Sequence, residues 1–360
     1  MLIGIEAERA NHPQKTGVEH YAKQLILHLA KLDSKNNYIL YLRTQPQEWF
    51  LNLPKNFKIK VMPFPLFWTQ VRISLEMLLH PVDVLMIPAS ALSIIHPKKS
   101  IVTIHDIAWK FFPKSFTRFN RMFLDISTNF AVDNAAKVIT VSASTKRDLF
   151  KYYHVGLDKI VVVHHGYDKL PSPYENILNL PKKYVLFLST LQPRKNLPSL
   201  ISAFRQLKNE DPNLPHKLVV AGKRGWLFED ILKTIEANKD IVIYLDHVSD
   251  SQRYFLLSNA DLMVLPSLYE GFGMQILEAF EAGCPVAASN ISSMPEVAGD
   301  AAEYFDPKNI SQIKNAIKNV LTNDQRATQL REKGKIQLED FSWEKAARKT
   351  LALLTTNESD

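Results

Sequence analysis

Glu270 and Glu278 stand eight residues apart in EGFGMQILE, around two glycines and directly after an apolar run. Residues 261–266 read as a buried strand ending at a proline, and GMQILEAFEAG reads as the helix that follows. A strand, a glycine turn and a helix make a ligand site. In open α/β sheets ligands bind beyond the carboxyl ends of strands, where free helix N–H groups and the positive end of the helix dipole attract an anion. A carboxylate there needs a cationic or hydroxylated partner. The plainer reading makes Glu270 a helix-start acid stabilised by the dipole and Glu278 a solvated helix residue. Against it, Glu278 lies between Leu277 and Ala279 in an Ala- and Leu-rich helix, and GFG is costly unless backbone must approach something closely.

The elements that must position these residues alternate. Residues 1–5 read as a strand, and a loop over 6–16 leads to Gly17 at the start of GVEHYAKQLILHLAKL, where Tyr21, Leu25, Leu29 and Leu32 mark one apolar face. A strand follows at 38–42, and the later runs VDVLMIP and SIVTIHD are short and apolar, as parallel strands buried on both faces tend to be. A helix over 118–136 precedes KVITVS, where Ser142 or Ser144 can cap the next helix, and VVVHHG closes the first half. After a stretch rich in proline and polar residues, 167–183, the alternation restarts: YVLFLST, helix 197–207, HKLVVAG, helix 226–237, IVIYLDHV, helix 251–259, DLMVLP, helix 273–282 and PVAAS. The tail FSWEKAARKTLALL is an amphipathic terminal helix. At 360 residues the chain exceeds what one core usually holds, so two domains are expected. The pattern predicts an α/β fold of two Rossmann-like halves, with a cleft between them where two substrates could meet.

Composition narrows the partners. A hydrophobic content of 46% and a charged content of 22% suit an ordinary globular protein. The net charge of +7 suggests acidic partners without choosing among nucleotide phosphates, nucleic acid and anionic lipid. Between residues 98 and 121, Lys98, Lys99, Lys110, Lys114, Arg118 and Arg121 face the single acid Asp106, with Trp109, Phe111, Phe112, Phe116 and Phe119 interleaved. Such a stretch can meet a membrane surface, or it can be a core segment with a solvated edge. No zinc finger, arginine-rich tail or RNA-binding aromatic signature accompanies the charge, so nucleic acid is not expected. Cys284 is the only cysteine, which excludes a disulfide framework within one chain, and its apolar surroundings in AGCPVAAS predict a buried small hydrophobe. The opening MLIGIEAERA turns charged too early for a signal peptide, and no run approaches the length of a transmembrane helix. A cytoplasmic location follows as the expectation, with peripheral contact on the cytoplasmic face of a membrane as one use of the charge. A dehydrogenase is disfavoured by the lack of a GxGxxG fingerprint after any strand, and no Walker A loop is present. AGKRG has a glycine after a strand but the wrong spacing.

The glutamate pair in SLYEGFGMQILEAFEAGCPVAAS, with FLSTLQPRKN upstream, SSMPEVAGDAAEYFDP downstream, and the opening RANHPQKTGVEHYAKQL and TIHD in the first half, resembles the retaining nucleotide-sugar glycosyltransferases of the GT-B, family 4 group. The likeness extends over nearly the whole chain. It implies a first, acceptor-side domain over 1–166, a linker over 167–183, a donor domain over 184–340, and a terminal helix over 341–360 that crosses back onto the first domain. By this resemblance Glu278 accepts hydrogen bonds from the donor's ribose, as suits an acceptor-only group facing a vicinal diol. Glu270 faces the transferred sugar. The amides of Gly271, Phe272, Gly273 and Met274 embrace sugar hydroxyls and diphosphate. Lys195 stabilises charge on the departing diphosphate, and Arg194 substitutes for an arginine that many members carry where this chain has Ser189 and Thr190. Gly17 belongs to a glycine loop closing over phosphates, His105 and Asp106 line the sugar and acceptor pocket, and residues 248–250, with Val248, wall the base. Glu296 is either near the donor or a loop support, while Arg253 and Tyr254 are poor candidates for base contact.

The resemblance implies transfer without a metal or other cofactor, through a same-face, oxocarbenium-like reaction in which the leaving phosphate helps deprotonate the acceptor. The sequence lacks a DxD pair. The linker and terminal helix are the expected hinge of a closure that excludes water. PRKNL with TGVEHYAKQL points to mannose from GDP-mannose, passed to a glycan or lipid-linked saccharide in polysaccharide or lipopolysaccharide synthesis. A UDP-sugar-dependent transferase or a soluble disaccharide or sugar-phosphate synthase of the same fold is the alternative, and a noncatalytic nucleotide-sugar or glycan binding module is the reading from another class.

Overall fold

A computed structural model of the chain describes residues 1–13, 17–169, 177 and 180–356. The fold comprises two compact units, one formed by Met1–Gly166 with Phe341–Asp360 and the other by Tyr167–Asp340. Residues 170–176 and 178–179, the centre of the stretch expected as a linker, lie outside the described residues, as do 14–16 in the loop before Gly17.

The first unit is built on seven parallel strands: β1 (Leu2–Glu6), β2 (Asn37–Leu42), β3 (Phe57–Val61), β4 (Val84–Ile87), β5 (Ser100–Ile104), β6 (Lys137–Thr140) and β7 (Ile160–Val162), in the order β3-β2-β1-β4-β5-β6-β7. The runs read as doubly covered strands are so: every residue of β4 and β5 is buried. Helix Gly17–Leu32 buries Tyr21, Leu25, Ile26 and Leu29. Helix Trp343–Thr355, capped by Ser342 Oγ accepting from Lys345 N at 3.0 Å, packs on helix Gly17–Leu32. The approach at its start is tight, for a Cβ on Gly166 would lie 2.0 Å from the Trp343 backbone nitrogen.

The second unit has six parallel strands: β8 (Tyr184–Leu188), β9 (Lys217–Ala221), β10 (Val242–Tyr244), β11 (Leu262–Leu265), β12 (Val286–Ser289) and β13 (Ala302–Phe305), in the order β10-β9-β8-β11-β12-β13. The strand order reverses direction between β8 and β11, whose register pairs Leu262 with Val185 and Met263 with Leu186. Loops leaving these two neighbours run to opposite sides, opening a crevice at their carboxyl ends. Val185, Phe187, Phe204, Leu218, Val264 and Phe305 belong to the core beneath.

Several expected bounds move. The helix read over 226–237 is Glu229–Glu236, because Leu227 adopts φ 54°, outside helical space. The helix read over 118–136 ends at Asn134, and IVIYLDHV contributes only three strand residues, followed by Asp246 at φ 29°. The glycine of AGKRG serves packing: Gly222 has φ 151°, and a Cβ there would fall 1.9 Å from the Ser189 carbonyl oxygen. That close approach holds the loop after β9 against the loop after β8, a contact completed by Leu191 N donating to Lys223 O at 2.9 Å.

Candidate active site

The crevice of the second unit receives two loops. After β8, Gln192 leads into a single 3-10 turn, Pro193–Lys195, which stops at Asn196 with φ 58° before helix Leu197–Glu210 begins. A left-handed residue between two helical turns reverses the chain sharply, and Asn is one of the few side chains that tolerates it. The Asn196 amide is fixed by donating to Pro307 O at 2.8 Å. The turn throws Arg194 and Lys195 toward the loop after β11, where Leu268 N donates to Arg194 O at 2.8 Å and Arg194 Nη1 donates to Tyr269 O at 2.9 Å.

Glu270 is the meeting point. Arg194 Nη1 donates to its Oε2 at 3.0 Å, Lys195 Nζ donates to Oε1, and Ser267 Oγ donates to Oε1 at 2.7 Å. Glu270 is 5% exposed and Lys195 4%. Burial pushes the Glu270 carboxyl up, but the charges of Lys195 and Arg194 outweigh it and hold the group at about 2. Read separately in the sequence, the three residues form one buried, charge-compensated cluster. Its loop is anchored by two serines that sequence reasoning left aside. Ser292 Oγ donates to Glu270 O at 2.6 Å and accepts from Glu270 N at 3.2 Å, and Ser293 Oγ lies within donating distance of both Glu270 O and Phe272 O.

Gly271, Phe272 and Gly273 are buried behind this carboxylate, and Gly273 is the N-cap of helix Met274–Glu281 with φ 98°. The Gly273 carbonyl accepts from Ile276 N at 3.0 Å, and the half-buried Met274 opens the helix. Further along, Glu278 is held by Arg253 Nη1 at 3.1 Å, its side chain only 14% exposed. Arg253 also reaches Asp250 at 3.1 Å, and its Nε is buried without a hydrogen-bond partner among the described residues. The solvated-residue reading of Glu278 is corrected by this packing. The cation that orients it, set aside in the sequence, lies 25 positions upstream on a different helix, Asp250–Asn259, with no local signal to mark the pairing. Val248 is half-buried in the segment that enters that helix, just before the Ser249–Gln252 capping box.

In the first unit, His105 follows β5 with Nε2 2.9 Å from Pro88 O at the end of β4. A carbonyl only accepts, so Nε2 carries the proton and Nδ1 is the lone-pair nitrogen. Burial lowers its pKa, so the ring is neutral near pH 7. Tyr21 meets the His105 ring edge-on at 4.9 Å and stacks on His165 at 4.9 Å, and Trp343 lies 5.6 Å from His165. Asp106 accepts from Ala108 N at 2.9 Å, a local turn bond. Gly17 opens its helix on an exposed position, with nothing among the described residues within 4 Å of a Cβ. Glu6, at the carboxyl end of β1, was missed: it is 4% exposed, and burial pushes its carboxyl up to about 7, more than the nearby Arg9 lowers it. Cys284 is buried, and desolvation pushes its thiol up to about 12.

A family model described as glycosyl transferases group 1 matches residues 172–337, and one described as glycosyltransferase family 4 matches residues 15–169. The O-antigen chain mannosyltransferase B of Escherichia coli is 31% identical over 265 residues, 71% of this chain and 69% of that protein. The chain belongs to the family 4, group 1 glycosyltransferases. Solved structures place this glycosyltransferase in the GT-B fold. A sucrose-phosphate synthase from Thermosynechococcus elongatus superimposes with a TM-score of 0.75 at 17% identity, covering 98% of each chain. Anabaena HepE, in complex with UDP and glucose, gives 0.71 at 18% identity over 99% of each. At those identities the likeness concerns the fold alone. Among the described residues of this glycosyltransferase no helix is long and apolar enough to cross a membrane, and no group of three or more His, Cys, Asp or Glu side chains is gathered as a metal site.

Proposed function

We propose that this glycosyltransferase moves a hexose from a nucleoside-diphosphate sugar to a hydroxyl of a glycan or lipid-linked saccharide, with retention at the anomeric carbon. The observation that carries the reading is the sealed cluster of Lys195, Arg194 and Glu270 at the switch point between β8 and β11. As the bond from sugar to diphosphate breaks, negative charge grows on the leaving phosphate, and cations already oriented in a dry site stabilise that state with little reorganisation. Glu270, ionised down to about 2, keeps both cations charged and aimed. Its two oxygens are engaged by Arg194, Lys195 and Ser267, which argues against service as a nucleophile in a double displacement. The same-face route remains, with the departing phosphate taking the acceptor's proton. Glu278, oriented by Arg253, suits the vicinal hydroxyls of ribose, and the neutral His105 suits sugar positioning.

For the donor, the comparisons support a UDP-hexose, the alternative in the sequence reading, better than GDP-mannose: the HepE structure that spans the whole fold holds UDP and glucose. GDP-mannose stays as the second reading on the name of the E. coli relative, a mannosyltransferase. A thermal-unfolding panel of UDP- and GDP-sugars distinguishes them. A donor at 100 times its Kd stabilises by about 2.7 kcal/mol. A shift with UDP-sugars and none with GDP-mannose supports the first reading, the reverse supports the second, and no shift with any nucleotide sugar overturns both.

A further inference from the structure

We propose that the outward face of residues 66–126 in the first unit docks on an anionic bilayer surface, an inference that stands whichever donor the enzyme uses. Among the described residues most of the strongly exposed large apolar side chains fall in this stretch. They are ordered. On helix Arg118–Asn134, Phe119, Met122 and Ile126 follow at helical spacing and are 61%, 55% and 63% exposed. On the segment leading into and through helix Ser74–Leu79, Phe67, Val71, Leu75 and Leu78 form a second stripe, 43% to 61% exposed. A helix in a water-soluble protein turns such a stripe inward; these two turn it out while other residues of the same helices fill the core.

The two stripes belong to one surface. Phe67 lies 6.2 Å from Phe123 of the longer helix. Ile95, exposed beside Ile94, donates its N–H to Ser74 Oγ at 3.1 Å, and the next residue, His96, lies 6.3 Å from Phe130. Charge selects the occupant. Lys114, Arg118 and Arg121 are exposed along the rim and have no ion-pair partner among the described residues, and the first turn of helix Arg118–Asn134 carries no acid. The neighbouring acid on this face, Asp125, is occupied by Lys110 at 2.7 Å and by the Tyr153 hydroxyl at 2.6 Å. Apolar side chains long enough to enter the acyl boundary, rimmed by uncompensated cations at headgroup level, match an anionic lipid surface. A second copy of this chain matches less well, because a twofold interface sets the patch against itself and so cation against cation.

The test is flotation of the full chain with vesicles of neutral phosphatidylcholine or of phosphatidylcholine with 30% phosphatidylglycerol, at low and high salt. The chain should float with the anionic vesicles alone, less so at high salt. Arg118→Gln with Arg121→Gln should weaken binding roughly thirtyfold, at about 1 kcal/mol per cation. Phe119→Ser with Ile126→Ser should reduce it at every salt concentration, with circular dichroism and melting temperature unchanged because both positions are exposed. Failure to float with either vesicle, flotation unaffected by both double variants, or a dimer in light scattering that Phe119→Ser with Ile126→Ser dissolves would each overturn the proposal. Flotation reads no catalysis, so its failure is distinct from failure of the donor panel.

Discussion

Lys195 and Glu270 form the tightest test of the site at the scale of single residues. Lys195→Ala removes one of two cations from a buried carboxylate, and breaking such a pair costs on the order of 3 kcal/mol of stability. It should also lower kcat by roughly 10²- to 10³-fold if the cation stabilises the leaving group, read by turnover at saturating donor. Acid sensitivity follows from the same carboxylate. Its folded pKa of about 2 is below the ordinary 4.5, so its contribution is present above 4.5 and is lost as pH falls toward 2. Glu270→Gln should therefore flatten the acid limb of stability against pH, measured by denaturant melts. Glu6 has the opposite sign. Its folded pKa is raised to about 7, so a destabilising contribution grows as pH rises from 4.5 to 7 and is complete above that. Glu6→Gln should raise the melting temperature at pH 8 and leave it unchanged at pH 4.

At the scale of elements, two glycines set where loops can go. Gly273 holds φ 98° at the N-cap of helix Met274–Glu281, and Gly273→Ala adds roughly 1 to 2 kcal/mol of backbone strain there. Gly222→Ala drives a Cβ into the Ser189 carbonyl, so the loops after β8 and β9 must part and displace the turn that carries Lys195. The expected result is a lower melting temperature together with loss of the donor-induced shift. The sequence pattern marked the strand, turn and helix around Glu270 because apolar runs and glycines are local signals. It left β3, β13 and the helices Ile310–Thr322 and Asp324–Leu338 unmarked, although Ile313, Ile317 and Val320 recur at helical spacing and are buried, and FKIKV alternates as a strand does.

At the scale of the whole molecule, the chain's last helix completes its first unit. Helix Trp343–Thr355 covers helix Gly17–Leu32, and Trp343 sits 5.7 Å from His20 and 5.6 Å from His165. Truncation after residue 340 should uncover the Tyr21 face of that helix, and scanning calorimetry should show the melting transition of the first unit lowered or lost while that of the second persists. Trp343→Ala, which keeps the helix, should give a smaller shift of the same transition, about 3 kcal/mol for an aromatic lost from a packed site.

The sequence by itself determined the two doubly wound sheets, because alternating apolar strands and amphipathic helices allow few other arrangements, and it placed a glycine turn between two glutamates at the carboxyl end of a strand. Only the tertiary structure decided what those glutamates do. Glu270 finds Lys195 across 75 positions and Glu278 finds Arg253 across a gap between helices. The first pairing follows from a strand order that sets β8 beside β11, the second from the packing of the helices that precede and follow β11, and neither has a local pattern to announce it. Once buried together, unlike charges must compensate one another, and that requirement makes Glu270 the anchor of two cations.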